Sequence, residues 1–313
     1  MEDWANIPLL VIAGPTASGK TALAVEIARQ IDGEVVSADS MQVYRGMDIA
    51  TAKPTEEETR GVPHHLIGII GSDERFSVAR YAELAHAAIH EIHARGRRPM
   101  LVGGTGLYIQ AVTENLRLAD GEIDPAPREA LAAKEPALLW EELRAIDPET
   151  AERVHPNDKK RVLRALELYH STGVSISEQN ARSRQGPSPY QCRMLLLNAR
   201  DRQVLYHRAD ARVHDMLARG LLEEAKEFWQ KNNREWTSAQ AIGYKELLPY
   251  LRGECSLEAA VDKLKRETRR YAKRQLSWFR RMAREWNERV PGSCRELYIE
   301  DALNWKEMLN WKE

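Results

Sequence analysis

No sign of charge dominates this chain. Its 313 residues carry 46 lysines and arginines against 47 aspartates and glutamates, for a net charge of −1. No global basic bias announces a nucleic-acid partner, so any such signal must be local. Cysteine is scarce. Cys192, Cys255 and Cys294 lie far apart with no CxxC spacing, which excludes a disulfide framework or a cysteine-built zinc cluster and suits a reducing compartment. Long hydrophobic runs are missing too: none approaches the roughly 20 residues that span a bilayer. The start, Met1-Glu2-Asp3-Trp4, is acidic and unlike a secretory signal. These absences lead to the expectation of a cytoplasmic protein without membrane contact. What is present is ordinary globular material, 43% apolar and 30% charged, enough for one large α/β domain or a core with an insertion.

One stretch stands out against that background. Residues 7–13 are apolar and strand-like, and Gly14-Pro15-Thr16-Ala17-Ser18-Gly19-Lys20-Thr21 follows them, ahead of a helix-like run over 22–31. This is the P-loop pattern G-x-x-x-x-G-K-[ST] in its required context, strand before and helix after. Its chemistry is that of a polyphosphate cradle. Glycines let backbone N–H groups turn toward a phosphate, and the helix N-terminus adds partial positive charge. Lys20 brings a mobile cation, and the Thr21 hydroxyl can ligate a Mg²⁺ ion held by the same phosphates. Read alone, the motif says ATP or GTP.

A second short strand is expected over 33–38, ending at Asp39-Ser40-Met41-Gln42, where open α/β sheets bind ligands. Asp39 at that place suits a metal ligand, a general base or a plain N-cap. The polar segment 43–54 is too long for a simple connection. A strand is expected over 62–69, and its His64 and His65 lack metal-ligand spacing and read as hydrogen-bonding groups. A helix is expected over 76–95, then a strand over 97–103 that turns through Gly103-Gly104-Thr105 into another helix. An ATPase often closes such a strand with an acid that holds Mg²⁺ and positions water. Here the glycines permit close backbone approach and Thr105 offers a hydroxyl.

From 118 to 189 strand-like runs vanish, and the segment reads as a helical insertion in a core formed by 1–117 and 190–313. Helices are expected over 125–143 and 158–169. The second follows His155-Pro156-Asn157-Asp158 and is basic at Lys160, Arg161 and Arg164. A core strand returns over 193–198, then a helix over 202–217 with Arg208 and Arg212 four apart. The compact run Gln240-Ala241-Ile242-Gly243-Tyr244-Lys245 precedes the most basic segment, a helix over 257–288. Its cations outnumber its acids and interleave with Tyr271, Trp278, Phe279 and Trp286, which argues for a polyanion facing this surface. The tail repeats Leu-Asn-Trp-Lys-Glu at 303–307 and 309–313, and no function follows from it.

Six blocks, in order between about residues 8 and 290, resemble the bacterial tRNA dimethylallyltransferases, the isopentenyl-diphosphate:tRNA transferases. They are 14–21, Asp39-Ser40 with 44–54, Gly103 to Tyr108, His155-Pro156-Asn157-Asp158, Ile242-Gly243-Tyr244, and Lys273-Arg274-Gln275. The resemblance implies an α/β fold, a P-loop NTPase-like parallel sheet flanked by helices, with a helical insertion domain. It implies transfer of a dimethylallyl group from dimethylallyl diphosphate to N6 of the adenosine just 3′ of the anticodon. Residues 14–21 would then hold a leaving diphosphate and not a nucleotide. Lys20, Thr21 with Mg²⁺, and Arg212 would neutralise its developing charge. Asp39 would orient the adenine amine and accept its proton. Thr105 would help fix the diphosphate or the target nucleotide, and Arg128 would lie near the flipped base. A base stacked in an anticodon loop must leave the stack to react. Contacts to tRNA are accordingly expected at Asp39, Ser40, Met41 and Gln42, and at Lys160, Arg161, Val162, Leu163 and Arg164. Two further groups complete them: Gln240, Ala241, Ile242, Gly243, Tyr244 and Lys245, then Lys273, Arg274, Gln275, Leu276, Ser277, Trp278, Phe279 and Arg280. The expected partners are the tRNA anticodon stem-loop and dimethylallyl diphosphate, with a monomeric enzyme. The additional zinc finger of eukaryotic relatives has no matching Cys/His pattern here.

Two readings of other classes share the P-loop. One is a small-molecule or nucleoside kinase, whose lid the 118–189 insertion would imitate; the other is an RNA-binding nucleotide switch that makes no covalent product. Within the family, prenylation of free AMP or ADP is a variant. The insertion and the basic helix argue against it, because a free nucleotide needs neither.

Overall fold

In a computed structural model of the chain, the residues described are 7–116, 130–183, 188–231 and 236–304. The chain divides into two compact units, 1–113 with 189–313, and 114–188. The first contains a six-stranded sheet: β1 (Ile7–Ala13), β2 (Gly33–Ser37), β3 (His64–His65), β4 (Arg98–Gly103), β5 (Tyr190–Asn198) and β6 (Cys294–Tyr298). All pairings are parallel and the order is β3-β2-β4-β1-β5-β6. Leu9, Val11, Ile12, Met100, Leu101 and Leu195 are buried, giving the near-continuous apolar strands that a sheet covered on both faces requires. Chain connections leave β1 toward β2 on one side and reach β5 on the other, so the P-loop strand sits at the switch point where such sheets bind ligands. This is a P-loop NTPase-like α/β fold.

The helices are α1 (Lys20–Ile31), α2 (Glu56–Thr59), α3 (Val78–Ala94), α4 (Gly106–Thr113), then α5 (Pro136–Ile146), α6 (Pro148–Arg153), α7 (Lys159–Thr172) and α8 (Ile176–Ser183) of the second unit. The first unit resumes with α9 (Arg202–Ala218), α10 (Leu221–Lys231), α11 (Tyr244–Leu251) and α12 (Leu257–Arg289). Leu23, Ala24, Ile27 and Ala28 of α1 recur at helical spacing and pack with Ile12, Val35 and Val102. A second cluster joins Val11 and Leu101 to Tyr81 and Ile89 of α3, Ile109 of α4, and Phe279, Met282 and Trp286 of α12. A third, satellite core binds Val43, Tyr44 and Met47 to Val213 of α9, Phe228 of α10, Tyr244 of α11 and Leu264 of α12. That core explains why so long a connection as 43–54 is folded in place. No helix among the described residues is long and apolar enough to cross a membrane.

Two expected elements are broken. The strand over 62–69 is regular only at His64–His65. Leu66 and Gly68 have positive φ, 63° and 62°, and the amides of Gly68, Ile69 and Ile70 donate to the carbonyls of Gln42 and Val43. The segment leaves the sheet to brace the neighbouring loop. His65 Nε2 meets Glu34 Oε2 at 2.7 Å and His64 Nδ1 meets the Val62 carbonyl at 2.8 Å, so both rings are hydrogen-bonding groups. Of the helix expected over 125–143, residues 125–129 lie outside the described residues and the remainder is interrupted over 133–135: Pro136 opens a new helix, because proline lacks the N–H that only a first turn can forgo. Strand β6 escaped prediction. It is an edge strand reading Cys-Arg-Glu-Leu-Tyr, with only Cys294 and Leu297 buried, so its apolar pattern is faint.

In the second unit, His155-Pro156-Asn157-Asp158 is a capping sequence. Asp158 Oδ1 accepts the Arg161 amide at 3.2 Å, and His155 Nδ1 accepts the Asn157 amide at 3.1 Å. Val162 and Leu166 of α7 pack against Leu139 and Leu143 of α5, while Lys160, Arg161 and Arg164 are exposed.

Candidate active site

A cavity of about 520 Å³ lies at the carboxyl ends of β1, β2 and β4. Its lining brings together Thr16, Lys20 and Thr21 after β1, Asp39 to Gln42 after β2, Gly103 and Gly104 closing β4, Arg212 of α9, and Tyr271, Arg274 and Gln275 of α12. The P-loop backbone is shaped for an anion. Ala17 and Gly19 adopt left-handed φ of 62° and 88°, and a Cβ on Gly14 would press on the Leu197 carbonyl at 2.8 Å. The first amides of α1 have no intrahelical acceptor and are free to meet phosphate oxygens. The Ser18 hydroxyl is buried with no hydrogen-bond partner among the described residues, in the middle of that cradle. A buried polar group left so is costly unless a ligand completes it.

Lys20 and Arg212 supply the positive charge. Desolvation pulls the Lys20 ammonium down to about 7, Arg212 nearby deepens the fall, and Asp39 opposes it. Burial likewise lowers Arg212, with Asp39 again the leading opposing charge. Lys20 Nζ folds back to donate to the Pro15 carbonyl at 2.7 Å. Lys20 and Arg212 share this poorly solvated cleft with Asp39, Glu58 and Asp215, and Lys53, Arg219, Lys245 and Arg274 line it too, so positive charge outweighs negative and the cleft suits an anionic ligand.

Asp39 has two functions available, one per oxygen. Its Oδ1 accepts the amides of Met41 at 2.9 Å and Gln42 at 3.4 Å, so the capping role is real. Thr105 Oγ1 accepts the Ser40 amide at 3.0 Å and donates to Ser40 Oγ at 3.3 Å, registering the same turn from β4. The Tyr271 hydroxyl is hydrogen-bonded to Thr105 and Gln275, and burial pushes its pKa up. Gln275 bridges the two phosphate-edge loops: its Oε1 accepts the Thr16 amide at 2.8 Å and its Nε2 donates to the Gly104 carbonyl at 2.9 Å.

The glycines closing β4 are required by this packing. A Cβ on Gly103 would fall far inside contact distance of the Ala38 backbone, one on Gly104 would collide with Gln275, and one on Gly106 with Trp278. The close approach is made by the chain itself, and it leaves no room for a strand-end acid. Gly103→Ala is therefore expected to destabilise the fold by about 3 kcal/mol or more, the upper end of overpacking costs because backbone cannot step aside. A thermal melt checks this; an unchanged midpoint would contradict it.

A model of the IPP transferase family matches residues 42–282, and one of isopentenyl transferases matches residues 7–75. The chain belongs to the tRNA dimethylallyltransferase family. The protein of that name from Geobacillus thermodenitrificans is 49% identical over 302 residues, covering 95% of each chain. The crystal structure of the full-length tRNA isopentenylpyrophosphate transferase from Bacillus halodurans is 43% identical, covers 96% of this chain and 95% of its own, and superposes with a TM-score of 0.67. A eukaryotic dimethylallyltransferase, captured acting on tRNA, is 33% identical with a TM-score of 0.79, over 96% of this chain and 76% of its own.

In this chain the expected site residues divide by burial. Asp39 to Gln42, Gln240, Ala241, Ile242, Lys245, Arg274 and Gln275 line the cavity with the P-loop. Lys273, Arg274, Ser277 and Arg280 form the exposed face of α12. Several residues expected to touch RNA are instead packed inside. Phe279, Leu276 and Tyr244 are buried in the first unit and Val162 in the second, because continuous motif blocks on a helix include its inward face. Gly243 is buried as well, at φ 113°. Arg128 lies outside the described residues. Tyr271 was missed as a site residue, although its place one turn before Gln275 on the same face could have signalled it. Arg208 was noted only for its spacing; its Nε donates to the Ala17 carbonyl at 2.8 Å and so braces the P-loop.

Proposed function

We propose that this chain transfers a dimethylallyl group from dimethylallyl diphosphate to N6 of the adenosine 3′-adjacent to the tRNA anticodon, giving N6-isopentenyladenosine and diphosphate. One observation carries the reading: a P-loop with Lys20 and Arg212 faces Asp39 in one cavity, while the end of β4 is sterically closed to the acid that would activate water. That arrangement suits departure of a diphosphate better than hydrolysis of a nucleotide. The bond formed joins N6 to the allylic C1, and the bond broken joins C1 to the diphosphate oxygen. The adenine amine is a weak nucleophile because its lone pair is delocalised. Asp39, with Oδ1 held by the backbone, leaves Oδ2 to orient the amine and take its proton. Lys20, Arg212 and the P-loop amides receive the negative charge as the diphosphate leaves. Thr105 acts on this chemistry by registering the Asp39 turn.

Mg²⁺ fits the donor set. Thr21 lines the cavity beside the cradle, and among the described residues no three His, Cys, Asp or Glu side chains converge on a point. Substrate oxygens and water would complete the shell, as Mg²⁺ favours. When bound, the ion would spread the charge of the departing diphosphate. We read the protein as a cytoplasmic monomer.

The exposed cations of α12 and of α7 are placed in this reading on the tRNA backbone. Lys273→Ala and Arg274→Ala should each weaken tRNA binding and flatten the salt dependence by about one unit of log–log slope. A titration at several salt concentrations checks it; a slope equal to that of the parent protein would remove these residues from the contact. The activity itself is tested by tRNA-dependent release of diphosphate from dimethylallyl diphosphate. Transfer of the γ-phosphate of ATP to a small molecule would favour the kinase instead.

A further inference from the structure

One wall of the cavity, residues 50–54, has no regular secondary structure. Its shape is set by a carboxylate that does not itself line the cavity. Glu224, in the first turn of α10, accepts three consecutive backbone amides: Oε2 from Asp48 at 2.8 Å and Ile49 at 2.7 Å, Oε1 from Ala50 at 2.9 Å. The Tyr244 hydroxyl also donates to Oε1, at 2.9 Å. Four donors thus converge on one ionised side chain, and bonds to an ionised acceptor are about twice as strong as neutral ones. Burial and the Glu224 charge push the Tyr244 phenol upward, which keeps its hydroxyl a donor.

The same wall is tied to the Asp39 turn. Gln42 Nε2 donates to the carbonyls of Thr51 at 3.3 Å and Ala52 at 3.2 Å, while its Oε1 accepts the Ser37 hydroxyl at 3.0 Å. The Gln42 backbone amide is in turn bound by Asp39 Oδ1. A continuous set of bonds therefore runs from Glu224 through 48–52 and Gln42 to the carboxylate expected to take the proton. None of these bonds involves the P-loop or the exposed cations Lys273 and Arg274.

We propose that Glu224 is a positioning residue for prenyl transfer, fixing residues 48–54, and through Gln42 the Asp39 turn, against the seat of the acceptor base. The proposal rests on the function stated above and deepens it. Loss of the carboxylate misplaces the reacting pair and leaves the diphosphate cradle and the RNA-backbone contacts in place.

The test is Glu224→Gln in the full chain, which keeps the side-chain shape and turns an NH₂ toward amides that need an acceptor. Turnover of tRNA should fall roughly ten- to hundredfold, the effect of an ångström-scale misplacement. Dissociation constants for inorganic diphosphate and for tRNA should each stay within about threefold of the parent values, as when only a transition-state interaction is lost. Tyr244→Phe leaves the three amides capped and should lower turnover by less than about fivefold. If Glu224→Gln fails to fold, Glu224→Asp, charged but one methylene short, should show the same split. Unchanged turnover overturns the proposal, and so does a parallel loss of diphosphate binding, which would make Glu224 mere scaffold. A parent protein without prenyl transfer defeats the functional reading and this inference with it; an active parent with an unaffected variant defeats this inference alone.

Discussion

Asp39→Asn is expected to lower turnover by roughly 10²–10⁴-fold, the usual contribution of a positioned general base, with tRNA affinity nearly unchanged. Asparagine is the informative replacement. Its side-chain oxygen can still accept the Met41 and Gln42 amides that Asp39 Oδ1 holds at 2.9 and 3.4 Å, so the turn survives while the proton acceptor is lost. Asp39→Ala removes both functions and should cost more turnover and some stability. Single-turnover kinetics alongside a tRNA-binding titration separates these effects. If Asp39→Asn loses affinity and turnover in equal measure, Asp39 is a binding residue and not the base.

The second large effect belongs to Lys20. Lys20→Met should reduce turnover roughly 10²–10³-fold, as does removal of a preorganised donor at developing charge, and should weaken donor binding as well. The pH dependence carries a sharper signature. In the free enzyme burial holds the Lys20 ammonium down to about 7, so it is charged below that pH and progressively neutral above it. A bound diphosphate favours the ammonium and raises its pKa; binding therefore takes up a proton above pH 7, and donor affinity must decline as pH rises from 7, by at most about tenfold per unit. Lys20→Arg keeps its charge throughout and should bind with a flat profile over that range. A donor affinity independent of pH in the parent protein between 7 and 9 would contradict the placement of Lys20 on the diphosphate.

Much of this was legible in the residues. The P-loop, its strand and its helix stand where the motif requires, because turn glycines and an apolar run leave the backbone few alternatives. The α12 helix runs unbroken through Leu257–Arg289, capped by Ser256 and free of proline. Other features depend on distant contacts that no local pattern records. Only the folded chain shows that Gly103 and Gly104 make room for Ala38 and Gln275. The segment 62–69 carries strand-forming residues, yet its amides turn to the 42–43 carbonyls once the sheet edge ends. Glu224 is one of three glutamates in α10, and nothing in the sequence singles it out. Its role comes from three amides lying 174 to 176 residues away in sequence. Motif blocks named contiguous RNA contacts, whereas a helix divides such a block between two faces; Lys273 and Arg274 point outward and Leu276 and Phe279 inward for that reason.

The central claim is that this cavity joins an allylic group to an adenosine of tRNA. It is tested most directly by mass spectrometry of the nucleosides of unmodified tRNA after incubation with the protein, dimethylallyl diphosphate and Mg²⁺. The account predicts one new species, adenosine carrying a single dimethylallyl group on N6, from the position 3′ of the anticodon, and none when the donor is omitted. Unaltered adenosine under those conditions, with folded protein and intact tRNA, would contradict it.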